Sequence, residues 1–151
     1  MDSFRDIQKL FEIDIYQLMD SVIENSRVQD EMIELNHKQL QGGKDALGQT
    51  IVTIGGSPYR PMTIRIKRSK GQPFNRVTLK DTGEFYDTFQ VKILRDSYEI
   101  IADFQKGSDD IRDNFSSQYD FLGLDDESLN EFVNEVFFPR FAKALIAKFK
   151  I

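Results

Sequence analysis

The chain has 151 residues, of which 40% are hydrophobic and 30% are charged, with a formal net charge of −5 at pH 7. A chain of this size buries an apolar core without disulfides or metals, and we expect one domain over residues 1–151. The lack of Cys excludes disulfides, thiol catalysis and thiolate metal sites, and the negative charge argues against a nucleic-acid-binding surface over the whole molecule.

Residues 3–41 predict one long helix, or two. Apolar residues recur there every three or four positions, and no Pro or Gly interrupts them. A continuous helix of that length would extend about 55 Å, more than a domain of this size needs, so we expect part of it to pack on another molecule. Charges in every turn of residues 1–20 exclude a signal peptide or a membrane span there, and we expect no membrane contact.

A stretch rich in Gly and Pro follows Gly42 and Gly43 and contains two candidate strands, 50–54 and 63–67. Residues 57–80 include seven Lys and Arg and no Asp or Glu, so this segment carries +7. We expect an extended basic arm that contacts DNA phosphates or an acidic neighbouring subunit, or that charge simply keeps soluble. Its candidate contact residues are Arg60, Arg65, Lys67, Arg68, Lys70 and Arg76.

Residues 85–94 and 98–104 predict an antiparallel hairpin, because both are rich in β-branched and aromatic residues and alternate between apolar and polar positions. Asp125 is a predicted N-cap for a final helix with an apolar stripe, and we expect Pro139 to kink this helix. The predicted fold is therefore α+β, with a long N-terminal helix, a small antiparallel sheet and a kinked C-terminal helix.

Candidate catalytic and metal-binding residues are few. His37 is the only histidine, and its polar surroundings near a helix end predict an exposed side chain. The acidic runs 109–113 and 125–127 lack the ligand spacing of known metal sites, so we interpret them as a solvated loop and a favourable charge at a helix start, with a metal-dependent nuclease as the alternative. We expect no catalytic residue, no metal and no cofactor.

Four short segments resemble one protein family. Residues 79–89 (LKDTGEFYDTF) resemble the middle of the phage virion-morphogenesis or tail-completion proteins, which reads L-x-D-T-G-x-[LF]-x-x-[ST]-[FI]. Residues 40–51 (LQGGKDALGQTI) are similar to the glycine-containing turn of the family, and 66–73 (IKRSKGQP) to variants in phages of the Bacteroidetes. Residues 121–128 (FLGLDDES) are similar to the motif that begins the last helix of the family. The four segments occur in the order that the family shows.

The resemblance implies a structural protein of the virion and not an enzyme. Its role would be to complete the tail at the head–tail junction, as one copy in a homo-oligomeric ring around the DNA channel. Its partners would be other neck, tail and portal or adaptor proteins, with possible non-specific contact with packaged DNA. The protein would be made in the cytoplasm of the bacterial host and would end in the virion.

The Asp-Thr-Gly sequence within 79–89 is interpreted as a turn that begins a strand. Gly83 permits a positive φ, and Asp81 and Thr82 cap their own turn. Phe85 and Phe89 would then point to one face of the strand.

Two other functions stay open. One is an assembly-stage nucleic-acid-binding protein that uses the basic segment 57–80. The other is an aspartic protease with Asp81 as its catalytic residue, which requires a second carboxylate within hydrogen-bond distance, from a partner subunit for example. The polar neighbours Lys80 and Glu84 argue against the protease, since apolar residues are expected beside such a motif.

Overall fold

The computed structural model describes residues 3–56 and 58–149, and its architecture is α+β. Helices form most of the regular structure, accompanied by two small antiparallel sheets of two strands each. The predicted fold class is confirmed. Ser57, the first residue of the predicted basic arm, and residues 1–2 and 150–151 of the predicted domain lie outside the described residues.

The N-terminal helical stretch is divided into three helices, α1 (Ser3–Glu12), α2 (Ile15–Ile23) and α3 (Ser26–Gln41), instead of the one or two expected. The Asp14 carboxylate accepts a hydrogen bond from the Gln17 N–H and caps α2. The Asn25 side chain accepts from the N–H groups of Arg27 and Val28 and caps α3. Side chains of Asp and Asn satisfy the first free N–H groups of a helix, so each of them begins a new helix although the apolar periodicity continues.

Most of the segment from residue 50 to 80 is irregular, but it contains helix α4 (Pro61–Ser69). The predicted strand 63–67 is therefore wrong, and the predicted strand 50–54 is reduced to a single bridge between Lys44 and Thr50. Pro61 is in the first turn, where its fixed φ and missing N–H suit a helix start. The basic segment is consequently not an extended arm over its whole length, because helical residues make up its centre.

The predicted hairpin is present in a shorter form. Its strands are β1 (Gln90–Ile93) and β2 (Tyr98–Ile101), which pair antiparallel with Gln90 opposite Ile101. The one-turn helix α5 (Glu84–Asp87) precedes β1, so the first residues of the predicted strand are helical. A second pair, β3 (Gln105–Lys106) and β4 (Asp109–Asp110), leads into a 3-10 helix (Ile111–Asn114).

The C-terminal helical stretch consists of α6 (Asp126–Glu131), a π-helix (Phe132–Phe137) and α7 (Phe138–Phe149). The irregularity expected at Pro139 takes the form of this π-helix, which ends directly before the first turn of α7. A proline within a helix lacks the N–H group and crowds the carbonyl four residues earlier, and the wider turns of a π-helix accommodate both effects. The Arg140 guanidinium donates to the Val136 carbonyl at 3.0 Å.

The core surrounds α3, which contacts α2, β1, α6 and the π-helix. Its apolar residues meet a cluster of aromatic rings from α5 and from the strands and loops that follow. The Phe85 ring, for example, lies 5.0 Å from that of Phe104 and 5.1 Å from that of Phe89. The buried residues at this centre are Val28, Met32, Leu35, Leu40, Phe85, Tyr86, Phe89, Ile100, Phe104, Phe121, Phe132 and Val136.

Two amide side chains of α3 hold the segment 120–125 against the helix. Asn36, which is fully buried, donates to the Phe121 carbonyl at 3.1 Å and accepts from the Gly123 N–H at 2.9 Å. Gln39 donates to the Gly123 carbonyl at 3.1 Å and accepts from the Asp125 N–H at 2.8 Å. These contacts satisfy four backbone groups of a segment that has no regular structure of its own.

The turn after α3 also binds the segment 120–125, through the buried carboxylate of Asp45. Asp45 has no exposed surface, and it accepts hydrogen bonds from the N–H groups of Leu47, Gln49 and Asp120. The Ala46 N–H donates to the Asp120 carbonyl at 2.7 Å. These three N–H groups belong to two parts of the chain, the turn at 47–49 and Asp120, so the carboxylate holds the two parts together.

We expect Asn36→Ala to lower the free energy of unfolding by about 3 kcal/mol, since it leaves the Phe121 carbonyl and the Gly123 N–H without partners in the interior. Urea denaturation measures this loss. Asn130→Ala, at an exposed position of α6, is the matched control and should change the free energy by less than about 0.5 kcal/mol. Equal effects of the two substitutions would contradict the role assigned to Asn36.

Candidate binding groove

An open groove of about 720 Å³ runs between α4 and the 3-10 helix. One wall presents Thr63, Ile66 and Lys67 of α4. The other presents Ile111, Asp113, Asn114 and Phe115. The apolar side chains that line the groove are Ile54, Ile66, Val77, Leu79, Ile111 and Phe115. A concave surface that combines apolar area with polar groups is typical of a binding site.

The lining of the groove is predominantly basic. Five cationic side chains line it, against the carboxylates of Asp81 and Asp113. Four of the five come from the basic segment, and Lys106 of β3 joins them from a distant part of the chain. The cationic residues are Arg60, Lys67, Lys70, Lys80 and Lys106.

Lys67 is buried in the wall of the groove. Its ammonium donates to the Lys80 carbonyl at 3.1 Å and lies 4.8 Å from the centre of the Tyr59 ring. A carbonyl oxygen and the face of an aromatic ring both stabilise a cation that has lost part of its water. Lys67 therefore connects α4 to the chain segment before the Asp-Thr-Gly turn and places positive charge in the groove wall.

Asp81 lies between two lysines at one end of the groove. Its carboxylate oxygens accept from the Lys70 ammonium at 3.0 Å and from the Lys106 ammonium at 2.8 Å. The hydrogen bonds from Lys106 and Lys70 lower the pKa of Asp81 to about 2. Neither partner is the second carboxylate that an aspartic-protease dyad requires.

The Asp-Thr-Gly turn has the predicted positive φ at Gly83, of 96°, but it begins a helix and not a strand. The hydroxyl of Thr82 accepts weakly from the Glu84 N–H at 3.4 Å, and α5 follows at once. The rings of Phe85 and Phe89 lie 5.1 Å apart, but Phe85 is in the one-turn helix and Phe89 follows it, so they do not share the predicted face of a strand. The interpretation as a strand-initiating turn is corrected accordingly, since β1 begins only at Gln90.

The six candidate contact residues of the basic segment do not share one face. Arg60, Lys67 and Lys70 line the groove, whereas Arg65, Arg68 and Arg76 do not. The Arg68 guanidinium lies 4.4 Å from the centre of the Phe74 ring. The Arg76 guanidinium donates to the Gln41 carbonyl at 2.6 Å and holds the segment on the end of α3.

His37 is largely buried, contrary to the exposed position expected from its polar neighbours. Its ring stacks on Tyr86 with centroids 4.3 Å apart, and its edge meets Phe89. Burial lowers the pKa of His37, and the nearby Glu34 carboxylate opposes this effect. The helical spacing did not predict this burial, because the rings of Tyr86 and Phe89 that cover His37 are about fifty positions away in the sequence.

The acidic runs show no metal site. Asp110 forms an ion pair with Arg112, and Asp125 caps α6 by accepting from the Ser128 N–H. In the part of the chain that the structure describes, no group of three or more His, Asp or Glu side chains is arranged to hold a metal ion. None of the helices in residues 3–56 and 58–149 is long and apolar enough to cross a membrane.

Sequence reasoning did not identify Lys106, Asn36, Gln39 or Asp45 as important residues. The one signal in the sequence is the spacing of Asn36 and Gln39, which are three positions apart and therefore lie on the same face of a helix. Comparison of the chain with family models, with curated proteins and with solved structures gave no match.

We expect NMR titration of the Asp81 carboxyl to give a pKa of about 2, and Lys106→Gln to move it up toward the ordinary value near 3.8. Because the folded protein depresses this pKa, the ion pairs stabilise it fully above pH 4 and less as the pH falls through 2. The side chains are about half exposed, so the stabilisation at neutral pH should stay below about 1 kcal/mol. Lys44→Gln, remote from Asp81, is the control and should leave the pKa unchanged.

We expect the free energy of unfolding to fall as the pH decreases below 6.5, because the unfolded state then takes up a proton that buried His37 resists. Urea denaturation at several pH values should show this slope in the wild type and a flatter one in His37→Phe, which keeps the aromatic packing. Glu34→Gln should lower the pKa of His37 further, since it removes the charge that raises it. The single imidazole signal in NMR spectra makes both shifts directly measurable.

Proposed function

We propose that this chain is a structural subunit of a phage particle, placed in the ring that joins head and tail. The resemblance of residues 40–51, 66–73, 79–89 and 121–128 to tail-completion proteins suggests this role. Two of the four segments, 40–51 and 121–128, are neighbours in the fold, since a Cβ on Gly123 would lie 3.4 Å from the Ala46 side chain. Segments 66–73 and 79–89 are also in contact, because the Lys70 ammonium donates to the Asp81 carboxylate. The four segments therefore form two packed pairs.

The observation that carries the proposal is the exposed apolar surface of the first two helices. Ile7 of α1 is 50% exposed, and Tyr16 of α2 is 76% exposed, with the exposed side chain of Ile15 beside it. Each side chain of this size gains roughly 1.5–3 kcal/mol when a partner covers it fully. A protein that binds neighbours in an assembly has a use for such a surface, whereas an isolated protein does not.

The groove supports binding better than hydrolysis. Both oxygens of Asp81 accept hydrogen bonds from lysines, which opposes the proton uptake that an aspartic protease needs.

Non-specific binding of nucleic acid is the second candidate, and the charge of +7 on residues 57–80 favours it. Arg60, Arg65 and Lys80 are exposed and available to phosphates. Lys67, Lys70 and Arg76 instead bond within the chain, which reduces the number of phosphates that the segment can neutralise. A DNA-binding role predicts an affinity that falls steeply with salt and depends on Arg60 and Arg65.

We expect purified phage particles to contain several copies of the chain, and quantitative mass spectrometry of the particles measures this number. The double variant with Ile7→Ser and Tyr16→Ser should fold normally but enter particles at a strongly reduced level, because it removes apolar area that a neighbour covers. Leu47→Ser, at an exposed apolar position outside α1 and α2, is the control and should be incorporated like the wild type.

Absence of the chain from mature particles would overturn the proposed structural role. It would favour an assembly factor, and salt-dependent binding to DNA would then be the next measurement.

A further inference from the structure

Charge is divided unevenly along this chain. Residues 57–80 carry +7 in a protein whose net charge is −5, so the remaining residues carry −12. The strongest acidic stretch is 120–138, which contains six Asp and Glu and no Lys or Arg. Two surfaces of opposite sign on one chain attract each other in neighbouring copies.

The acidic stretch presents an amphipathic outer face. Leu129 is 46% exposed, and Val133, one helical turn later, is also exposed. Asp126 and Glu127 are exposed at the start of the same helix. Phe132 and Val136 are buried in the core, so the exposed apolar side chains lie on a surface that the fold itself does not cover.

The basic groove presents the complementary combination. Ile66 is 48% exposed on its wall, and exposed Ile54 lies on its lining. Asp81 pairs with both Lys70 and Lys106, but Arg60, Lys67 and Lys80 form no ion pair with any carboxylate among the described residues. The groove therefore offers apolar area beside cations that lack an anionic partner.

We propose that the groove between α4 and the 3-10 helix binds the acidic outer face of α6 and the π-helix of a second copy of this chain. Leu129 and Val133 would contact Ile66 and Ile54, while Asp126 and Glu127 would pair with Arg60 and Lys80. This inference names the contact within the proposed ring and rests on that proposed function.

The two surfaces are formed by different residues, so the contact is head-to-tail. Such a contact leaves a free groove at one end of a pair and a free acidic face at the other, and further copies add at both ends. The row of subunits closes into a ring if the rotation between neighbours permits it and otherwise grows as an open filament, so the proposed ring requires a closing rotation. DNA is a poorer occupant of the groove, because its phosphates gain nothing from the apolar lining and three of the five cations of the groove, Lys67, Lys70 and Lys106, bond within the chain.

Cross-linking between introduced cysteines tests the contact, since the natural chain contains none. Ile66→Cys and Leu129→Cys, purified separately and mixed with a short bismaleimide, should give a cross-linked dimer. Ile66→Cys alone should give none, and neither should Ile66→Cys mixed with the control Leu47→Cys. Equal yields of cross-linked dimer in the two mixtures and in Ile66→Cys alone, or no cross-linked dimer in any of the three samples, would overturn the proposed contact.

Charge reversal gives an independent test that does not depend on cross-linking. The groove variant R60E/K80E and the helix variant D126K/E127K should each lose self-association by about tenfold or more in sedimentation experiments, because each opposes like charges. An equimolar mixture of the two should recover association, since every groove then meets a helix of opposite sign. Asp125, the N-cap of α6, is left unchanged so that the helix start is preserved.

The outcomes separate this inference from the proposed function. Several copies per particle together with unchanged association of both charge variants would leave the structural role standing and reject this contact. A wild-type chain that stays monomeric at high concentration and gives no cross-link would also reject it. Recovery in the mixture without any copies in particles would keep the contact and reject the role in the virion.

Discussion

Three polar side chains hold residues 120–125 against the end of α3, and the position of the C-terminal helix depends on them. Asn36, Gln39 and Asp45 together satisfy backbone groups that would otherwise be buried without partners. A buried backbone group without a partner costs about 1–3 kcal/mol, so loss of these bonds would strongly destabilise the fold. They therefore hold the segment in one conformation. Asp125 then caps α6 at a defined place, and this sets Phe132 and Val136 toward α3.

The same constraint determines which side of the C-terminal helix stays uncovered. With Phe132 and Val136 in the core, Leu129 and Val133 remain partly exposed, next to the exposed carboxylates at the helix start. Neighbouring exposed apolar residues reduce solubility unless a partner covers them. Their joint exposure therefore indicates a binding surface, which a single exposed apolar side chain does not.

Periodicity and turn residues were enough to predict the α+β class, the hairpin and a helix beginning at Asp125. They did not predict the breaks at Asp14 and Asn25, because the apolar pattern continues through both capping residues and only the side-chain bonds to the backbone divide the helices. The alternation in residues 63–67 predicts a strand, but these residues form part of α4, because a short alternating run does not distinguish strand from helix. Pro61, which begins α4, was the signal that would have favoured the helix.

The sequence predicts only part of the candidate groove, because several of its side chains bond to residues that are distant in the sequence. The sequence identified the concentration of cations in 57–80, but it did not reveal which of them bond within the chain. Asp81 draws in Lys70 from eleven positions away and Lys106 from twenty-five, and Lys67 bonds to the Lys80 carbonyl. Such pairs exist only after folding. In the sequence, residues 57–80 look like a uniformly cationic arm. In the fold, these bonds make the segment a structured wall of the groove, with few unpaired charges next to apolar side chains. Such a wall selects a partner by shape as well as by charge.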